Sequence, residues 1–392
     1  MRCEREGGTR GKPAVSPVQC DRRHRSILGP KAAGSVRRVA RVRAFNAVRY
    51  DEAKAGSLGR LVAPPYDVLG PEERARYLAE SPYNVVHLTL PDGEEGAAAL
   101  WRDWLDEGVL ARDEEPALWW LEQDYVGPDG VARTRGGLVC ALHVEPYSAG
   151  VVLPHEQTHA GPKEGRMRLL RALRAHVEPL FFLYEGALES PAGPPELEVE
   201  LEGVRNRLWR LEGEPPSELA DAQLLIADGH HRYETTLAFH EQEGTEESAW
   251  LLAVIVPSEQ EGLTIFPTHR LAEDVDVSCT ESAEEPPLEL LQRGDGPVLY
   301  RRGRSHVLVT DATQLDVSAV EPLIRHTVGY TPRAEEAVQR VDRGEAGAAL
   351  LLRPPTIEQV REVVERGETL PQKSTYFYPK LPSGLLFLPL WA

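Results

Sequence analysis

Cysteine is scarce in this 392-residue chain: Cys3, Cys20, Cys140 and Cys279, with no C-x-x-C spacing among them. That scatter excludes a disulfide framework or a cysteine-pair metal site and fits reduced thiols in a cytoplasmic protein. Long apolar runs are lacking too. The best of them, Trp250 to Val256, is only strand-sized. It excludes a membrane-spanning helix and a signal-peptide core, so no membrane partner is expected. Also missing are the G-x-x-x-x-G-K-[ST] phosphate loop, a G-x-G-x-x-G after a strand and the G-x-S-x-G nucleophile turn. Any nucleotide must be held by another device.

Positive charge is sparse outside one segment. The net charge is -18, yet residues 1–43 hold twelve Lys/Arg against three Asp/Glu, which leaves -27 on the remainder. A body that acidic repels phosphodiester backbones, so no nucleic-acid partner is expected. Residues 1–40 are rich in Arg, Gly and Pro and read as a disordered basic leader. A transit peptide, a nucleic-acid arm and an overcalled start codon all fit; with no amphipathic periodicity visible, the overcalled start is favoured. The remaining length, at 41% hydrophobic content, suits two or three domains.

What is present centres on Leu224-Leu225-Ile226-Ala227-Asp228-Gly229-His230-His231-Arg232-Tyr233. Four apolar residues read as a buried strand, Gly229 as a tight turn, and Tyr233 with Leu237 as the face of a following helix. Such a turn aims backbone N–H groups and the positive end of a helix dipole at one point, where a phosphate or carboxylate fits. Arg232 can add a bidentate contact, and Asp228 can hold a metal ion or orient a hydroxyl. The alternative is a helix cap and a solvated histidine pair.

Three α/β units are expected: 41–145, 146–272 and 288–392. In the first, Ala44–Tyr50 and Leu61–Ala63 are short strand candidates, Pro71–Glu80 and Ala97–Glu107 read as helices, and Asn84–Leu90 alternates as a strand. Leu118–Val126 pairs with Gly136–Val144. In the second, strand Val151–Leu153 leads into Pro154-His155-Glu156-Gln157-Thr158-His159, then a basic helix Lys163–His176 and strand Leu180–Tyr184. Residues 189–203 read as an acidic loop, and Arg207–Leu211 and Trp250–Val256 as strands. Residues 273–287 read as a linker. In the third unit, Val298–Tyr300 and His306–Val309 form a hairpin, and Val317–His326, Pro332–Asp342 and Thr356–Arg366 are helices. Strand Ala348–Leu352, an aromatic and cationic loop Pro371–Lys380 and strand Leu385–Leu388 complete the chain.

His155-Glu156-Gln157-Thr158-His159 fits H-E-x-x-H, which binds zinc only on a continuous helix. Pro154 before it and Gly161-Pro162 after it leave less than two turns, which disfavours a zinc hydrolase. Glu156 at the mouth of a site makes a reasonable general base instead. Asp67, after the stiff Pro64-Pro65-Tyr66, either faces a site or forms a turn. Lys373, Ser374 and Thr375 either bind an anion or form a solvated loop.

Taken together, Ala63-Pro-Pro-Tyr-Asp-Val68, Tyr83-Asn-Val-Val86, Leu153-Pro-His-Glu156 with Thr158 and Lys163, Ala227-Asp-Gly-His-His-Arg-Tyr-Glu-Thr235, Pro267-Thr-His-Arg270 and Pro371-Gln-Lys-Ser-Thr-Tyr-Phe-Tyr-Pro-Lys380 resemble domain of unknown function family 1015. This covers about residues 41–390 and supplies no reaction. Residues 150–256 are more distantly similar to the ParB/sulfiredoxin-like fold, and the Asp-Gly-His-His-Arg turn most resembles the free-serine kinases. That resemblance implies a mixed-sheet α/β (α+β) protein with a ParB/sulfiredoxin-like centre. It also implies a small-molecule kinase using Mg²⁺ with ATP or ADP. Glu156, as the base, would be catalytic together with Asp228 and His230; Gly229, His230, His231 and Arg232 would hold the transferring phosphate, and Lys163 would also bind the nucleotide. Asp228 would bind Mg²⁺ or orient the hydroxyl of free serine or a similar metabolite, with His155, Asp67, Lys373, Ser374 and Thr375 on the substrate side. Gly165 departs from the acidic residue expected before Arg166. The turn lacks the cysteine of sulfiredoxin chemistry, and a basic ParB-type DNA module is missing. The competing reading is a non-catalytic nucleotide or phosphometabolite sensor.

Overall fold

The apolar runs pair into one nine-stranded mixed sheet. In the computed structural model, which describes residues 40–158, 160–276, 280–283, 285–310 and 314–391, its strands are β1 (Val42–Arg43), β2 (Leu118–Val126), β3 (Ala132–His143), β4 (Val152–Leu153), β5 (Leu180–Tyr184), β6 (Leu197–Leu201), β7 (Val204–Leu211), β8 (Leu224–Asp228) and β9 (Trp250–Pro257). The order across the sheet is β4-β8-β5-β9-β3-β2-β7-β6, with β1 beside the end of β3. Strands drawn from both sides of residue 145 thus share one sheet.

Side chains alternate between the faces of a strand, and here both faces are covered. Phe181, Leu183, Leu225, Leu252 and Val254 enter one core, while Leu180, Phe182, Leu224, Ile226, Leu251 and Ala253 enter the other. Double burial explains why these strands read as unbroken apolar runs rather than as alternating ones. Cys140 packs in the second core, its thiol pushed up by burial; the other three cysteines lie outside the described residues.

Two neighbours at the sheet edge matter most. β4 and β8 run parallel, so the loop after Leu153 and the turn after Asp228 leave the sheet at the same end. Helix α1 (Ala160–Leu173) follows the first and helix α2 (His230–Glu243) the second, and the two pack against each other. A second, six-stranded sheet holds Thr280–Ala283, Arg304–Leu308, Val298–Arg301, Ala348–Leu351, His269–Ala272 and Thr327–Thr331, in that order.

The C-terminal Pro371–Lys380 segment straps the two sheets together. Its Tyr376–Tyr378 strand pairs with Thr264–Phe266. Buried Arg135 of β3 donates to the carbonyls of Tyr378 (3.2 Å) and Pro379 (2.7 Å) and to Gln123 Oε1.

Several expectations need correction. Asn84–Leu90 is not a strand: Val86–Thr89 forms a short helix, because the Asn84 side chain caps the Val86 N–H (3.0 Å). The 189–203 stretch contains β6, paired to β7, and the 273–287 stretch contains a strand; tertiary pairing overrides their acidic composition. Pro162 lies near the start of α1, where a missing N–H does no harm, rather than ending a helix. Strand Thr327–Thr331 lies just beyond a helix that stops at Val320 and continues as one 3₁₀ turn, Glu321–Leu323. The expected leader, residues 1–39, falls outside the described residues. Among the described residues no helix is long and apolar enough to cross a membrane.

Replacing Arg135 with Met should strand the Tyr378 and Pro379 carbonyls and lower stability by about 2–4 kcal/mol in a urea melt. Detachment of the strap should also raise hydrogen exchange at residues 376–380 before global unfolding.

Candidate functional site

A β-bulge lies between Ile226 and Asp228, so Asp228 pairs with Phe181 out of step and the strand end bends. Gly229 then takes φ +101°, and a Cβ there would meet Leu180 Cγ at 2.9 Å. Only glycine fits, and α2 starts at His230. Arg232, in the first turn of α2, folds back: Nη2 meets Asp228 Oδ2 at 2.9 Å and Nη1 donates to the Pro179 carbonyl at 2.6 Å. Lys380 of the strap reaches the other oxygen, Asp228 Oδ1. The two cations hold the Asp228 carboxyl well below the usual range, against the effect of burial. The Asp228 partner in turn raises Lys380 against the same burial.

The Pro-His-Glu loop beside it is held by its histidine. His155 is wholly buried; Nδ1 donates to the Ile226 carbonyl (2.7 Å), and Nε2 accepts from Thr375 Oγ1 (2.8 Å). Its backbone N–H donates to His230 Nε2 at 3.2 Å, and the two rings meet edge to face. Burial pushes His155 down to about 4 and His230 well below its ordinary value, so both are neutral supports rather than proton donors to a ligand. With both ring nitrogens committed and Glu156 in a strand-like bridge to Leu370, the H-E-x-x-H geometry is not formed; His159 lies outside the described residues.

Glu156 faces the opposite environment from Asp228. Burial pushes its carboxyl up to about 7, while the Lys373 backbone amide, Lys373 and Lys380 moderate the shift and Asp228 adds to it. Glu156 also lines a cavity of about 930 Å³ between α1 and α2, walled by Tyr147, Pro154, Met167 and Leu237. Lys163 lies in that wall, paired to Glu234 at 2.8 Å, and Thr158 donates to the same carboxylate at 2.8 Å.

Asp67 and Lys373 meet each other, Lys373 Nζ lying 3.8 Å from Asp67 Oδ2. Both reach the turn electrostatically: Asp67 acts on Arg232 and Lys380, and Lys373 on Asp228 and Glu156. Ser374 is buried, its hydroxyl closing onto the Pro371 carbonyl, and Thr375 fixes His155; both shape the strap. His231 sits in the first turn of α2, its carbonyl accepting from Thr235 Oγ1 at 2.7 Å. Arg166, after Gly165, donates to the Thr89 carbonyl at 2.9 Å and stacks on Tyr66.

Reading the sequence alone missed Lys380 and Glu178. Lys380 closes the cationic Pro371–Lys380 loop, but nothing local to it marks its contact with Asp228. Glu178, buried before β5, accepts from the Tyr66 N–H (3.0 Å) and Ser383 (3.2 Å) and pairs with Arg166 at 3.5 Å. Asp228 does not fit as a ligand for Mg²⁺, since an ammonium and a guanidinium occupy its two oxygens. Among the described residues no group of three His, Cys, Asp or Glu is placed to hold a metal.

The chain belongs to the family described as Protein of unknown function (DUF1015), whose model matches residues 42–315. No curated protein matches the chain. Among solved structures it is similar to a free serine kinase in complex with AMP at 19% identity and a TM-score of 0.36, over 60% of this chain and 89% of that one. A conserved hypothetical protein from Pyrococcus furiosus matches at 19% identity and 0.37, over 61% and 92%. SbnI with C-terminal truncation from Staphylococcus aureus matches at 13% and 0.40, over 64% and 87%. At such scores none of the three carries an argument about activity.

Removing one partner of the buried Asp228 cluster should be costly. Lys380→Met is expected to lower stability by about 3–5 kcal/mol, with Asp228→Asn/Lys380→Met recovering part of the loss in a double-mutant cycle. If the two losses add, Lys380 and Asp228 are not coupled.

Proposed function

We propose that this protein is a small-molecule kinase that moves a phosphoryl group from ATP or ADP to the hydroxyl of free serine or a similar metabolite. The observation that carries this reading is the pair of carboxylates with opposed environments: Asp228 is held ionised by two cations, while Glu156 is poised near neutrality at the edge of a cavity. Environments that push two titratable groups apart separate a base from a fixed charge. A base near pH 7 suits abstraction of a hydroxyl proton.

In this reading the acceptor's O–H proton passes to the Glu156 carboxylate as its oxygen bonds the terminal phosphorus. The P–O bond to the departing nucleotide breaks, and its electron pair stays on the leaving phosphate oxygen. Phosphoryl transfer asks mainly for position and positive charge. The start of α2 at Gly229–His231 supplies N–H groups, and Lys373 and Lys380 supply charge. Arg232 acts through Asp228, which it fixes, rather than on the phosphate. Asp228 keeps the Lys380 ammonium in place. The cavity takes the larger, organic part of a ligand: at about 930 Å³ it is nucleotide-sized. Any Mg²⁺ would come with the nucleotide, held by phosphate oxygens and water rather than by a protein cage.

The test is phosphoserine formation from free serine with Mg²⁺ and either donor. Glu156→Gln should lower kcat by at least about 100-fold and leave nucleotide binding within about twofold. Nucleotide binding by the wild type without product from any hydroxylated acceptor would instead favour a sensor. Because burial raises the Glu156 pKa, the active carboxylate form is lost as pH falls. The value of kcat/KM should therefore drop tenfold per pH unit below about 7. A flat profile between pH 5 and 8 would exclude Glu156 as the base.

A further inference from the structure

Arg270 has no solvent exposure, yet it lies in the second sheet, outside the machinery described above. Its strand pairs with Ala348–Leu351 and Thr327–Thr331. From there the guanidinium leaves its own sheet and grips the strap: Nη1 donates to the Lys373 carbonyl at 2.7 Å and to the Thr268 carbonyl at 2.9 Å, and Nη2 to the Gln372 carbonyl at 3.1 Å. Nε lies 3.4 Å from Glu321, and the group stacks over Tyr330. A guanidinium buried to hold backbone carbonyls is an expensive device unless their placement matters.

The residue it grips is strained. Lys373 takes φ +57°, a left-handed conformation that side-chain-bearing residues seldom adopt, and such strain persists where surrounding contacts enforce it. Its backbone amide is close enough to the Glu156 carboxylate to moderate the rise that burial causes there. Just upstream, the Leu370 N–H donates to the His155 carbonyl (2.8 Å) and the Gln157 N–H to the Leu370 carbonyl (3.3 Å), so the strap is registered on both sides of Glu156.

We propose that Arg270 is a positioning residue for Glu156: by fixing the Gln372 and Lys373 carbonyls it holds Lys373 left-handed and presents its amide N–H to the Glu156 carboxylate. The chemical interest of this rests on Glu156 being the base; the geometry does not. Charged groups act on Glu156 from three sides: Lys373 and Lys380 on the strap, Asp228 on the turn and Arg270 itself on the second sheet. Arg270→Lys keeps the positive charge but loses the fork that spans two carbonyls, so it isolates the effect of position from that of charge.

The experiment is a ¹³C carboxyl titration of the full chain labelled at glutamate, with the Glu156 signal assigned by its absence in Glu156→Gln. In Arg270→Lys the midpoint should rise by about 0.5–1 pH unit, because the carboxylate loses an N–H donor. That is a roughly three- to tenfold smaller ionised-to-protonated ratio at fixed pH. Arg270→Gln, which keeps one donor, is the second variant should the lysine form not fold. An unmoved midpoint in a folded variant overturns the proposal. The titration needs no substrate, so a wild type without kinase activity refutes the functional reading and leaves this one standing on its own result. Where turnover is present, the acidic limb of the Arg270→Lys pH profile should move up with the midpoint.

Discussion

One carboxylate, Asp228, sits between an ammonium from the C-terminal strap and a guanidinium from the first turn of α2. Remove either cation and one oxygen of a buried carboxylate loses its charged partner, which is why the surrounding elements are bound to one geometry. The contact joins β8, α2 and the strap, and through the Pro179 carbonyl it reaches the start of β5. The turn that looks on paper like an open cradle is therefore already braced from within.

That bracing separates the two carboxylates of the site. Asp228 is ionised at any physiological pH, whereas burial, with the Asp228 charge adding to it, pushes the Glu156 carboxyl up to about 7. Neutral, buried His155 and His230 stand between them as hydrogen-bonded scaffolding. His155 and His230 thus support the loop backbone, and the polar residues that line the cavity include Glu156, Thr158, Lys163 and Glu234.

The strap gives the second sheet a share in the site. Thr375 fixes the His155 ring, Lys380 meets Asp228, and Lys373 approaches both Asp67 and Glu156. Arg135 from one sheet and Arg270 from the other hold its carbonyls. A segment with little regular structure is thereby fixed by buried guanidinium groups, each satisfying several backbone acceptors.

Much of this was legible in the residues themselves. Unbroken apolar runs such as Leu224–Ala227 and Trp250–Val256 mark strands buried on both faces, and Asp228-Gly229 marks the turn, because local sterics and period-two alternation act within a few residues. Helix Pro71–Glu80 follows from its first-turn signals, and the apolar stripe over Ala97–Glu107 marks most of the helix that runs Glu94–Asp106, for the same reason. What the local pattern misreads is decided by partners outside it: the acidic 197–201 segment is a strand only because β7 offers it an edge, and Val86–Thr89 is helical where alternation suggested a strand, its first N–H held by Asn84. The roles inside the site belong to that second class. Sequence determined that Glu156 follows a strand in a proline-led loop and that Asp228 and Arg232 flank a glycine turn between a strand and a helix. Only the tertiary structure decided that Lys380, 152 residues from Asp228, would neutralise it, leaving Glu156 as the carboxyl near neutrality, since a pKa is set by burial and neighbouring charge rather than by position in the chain.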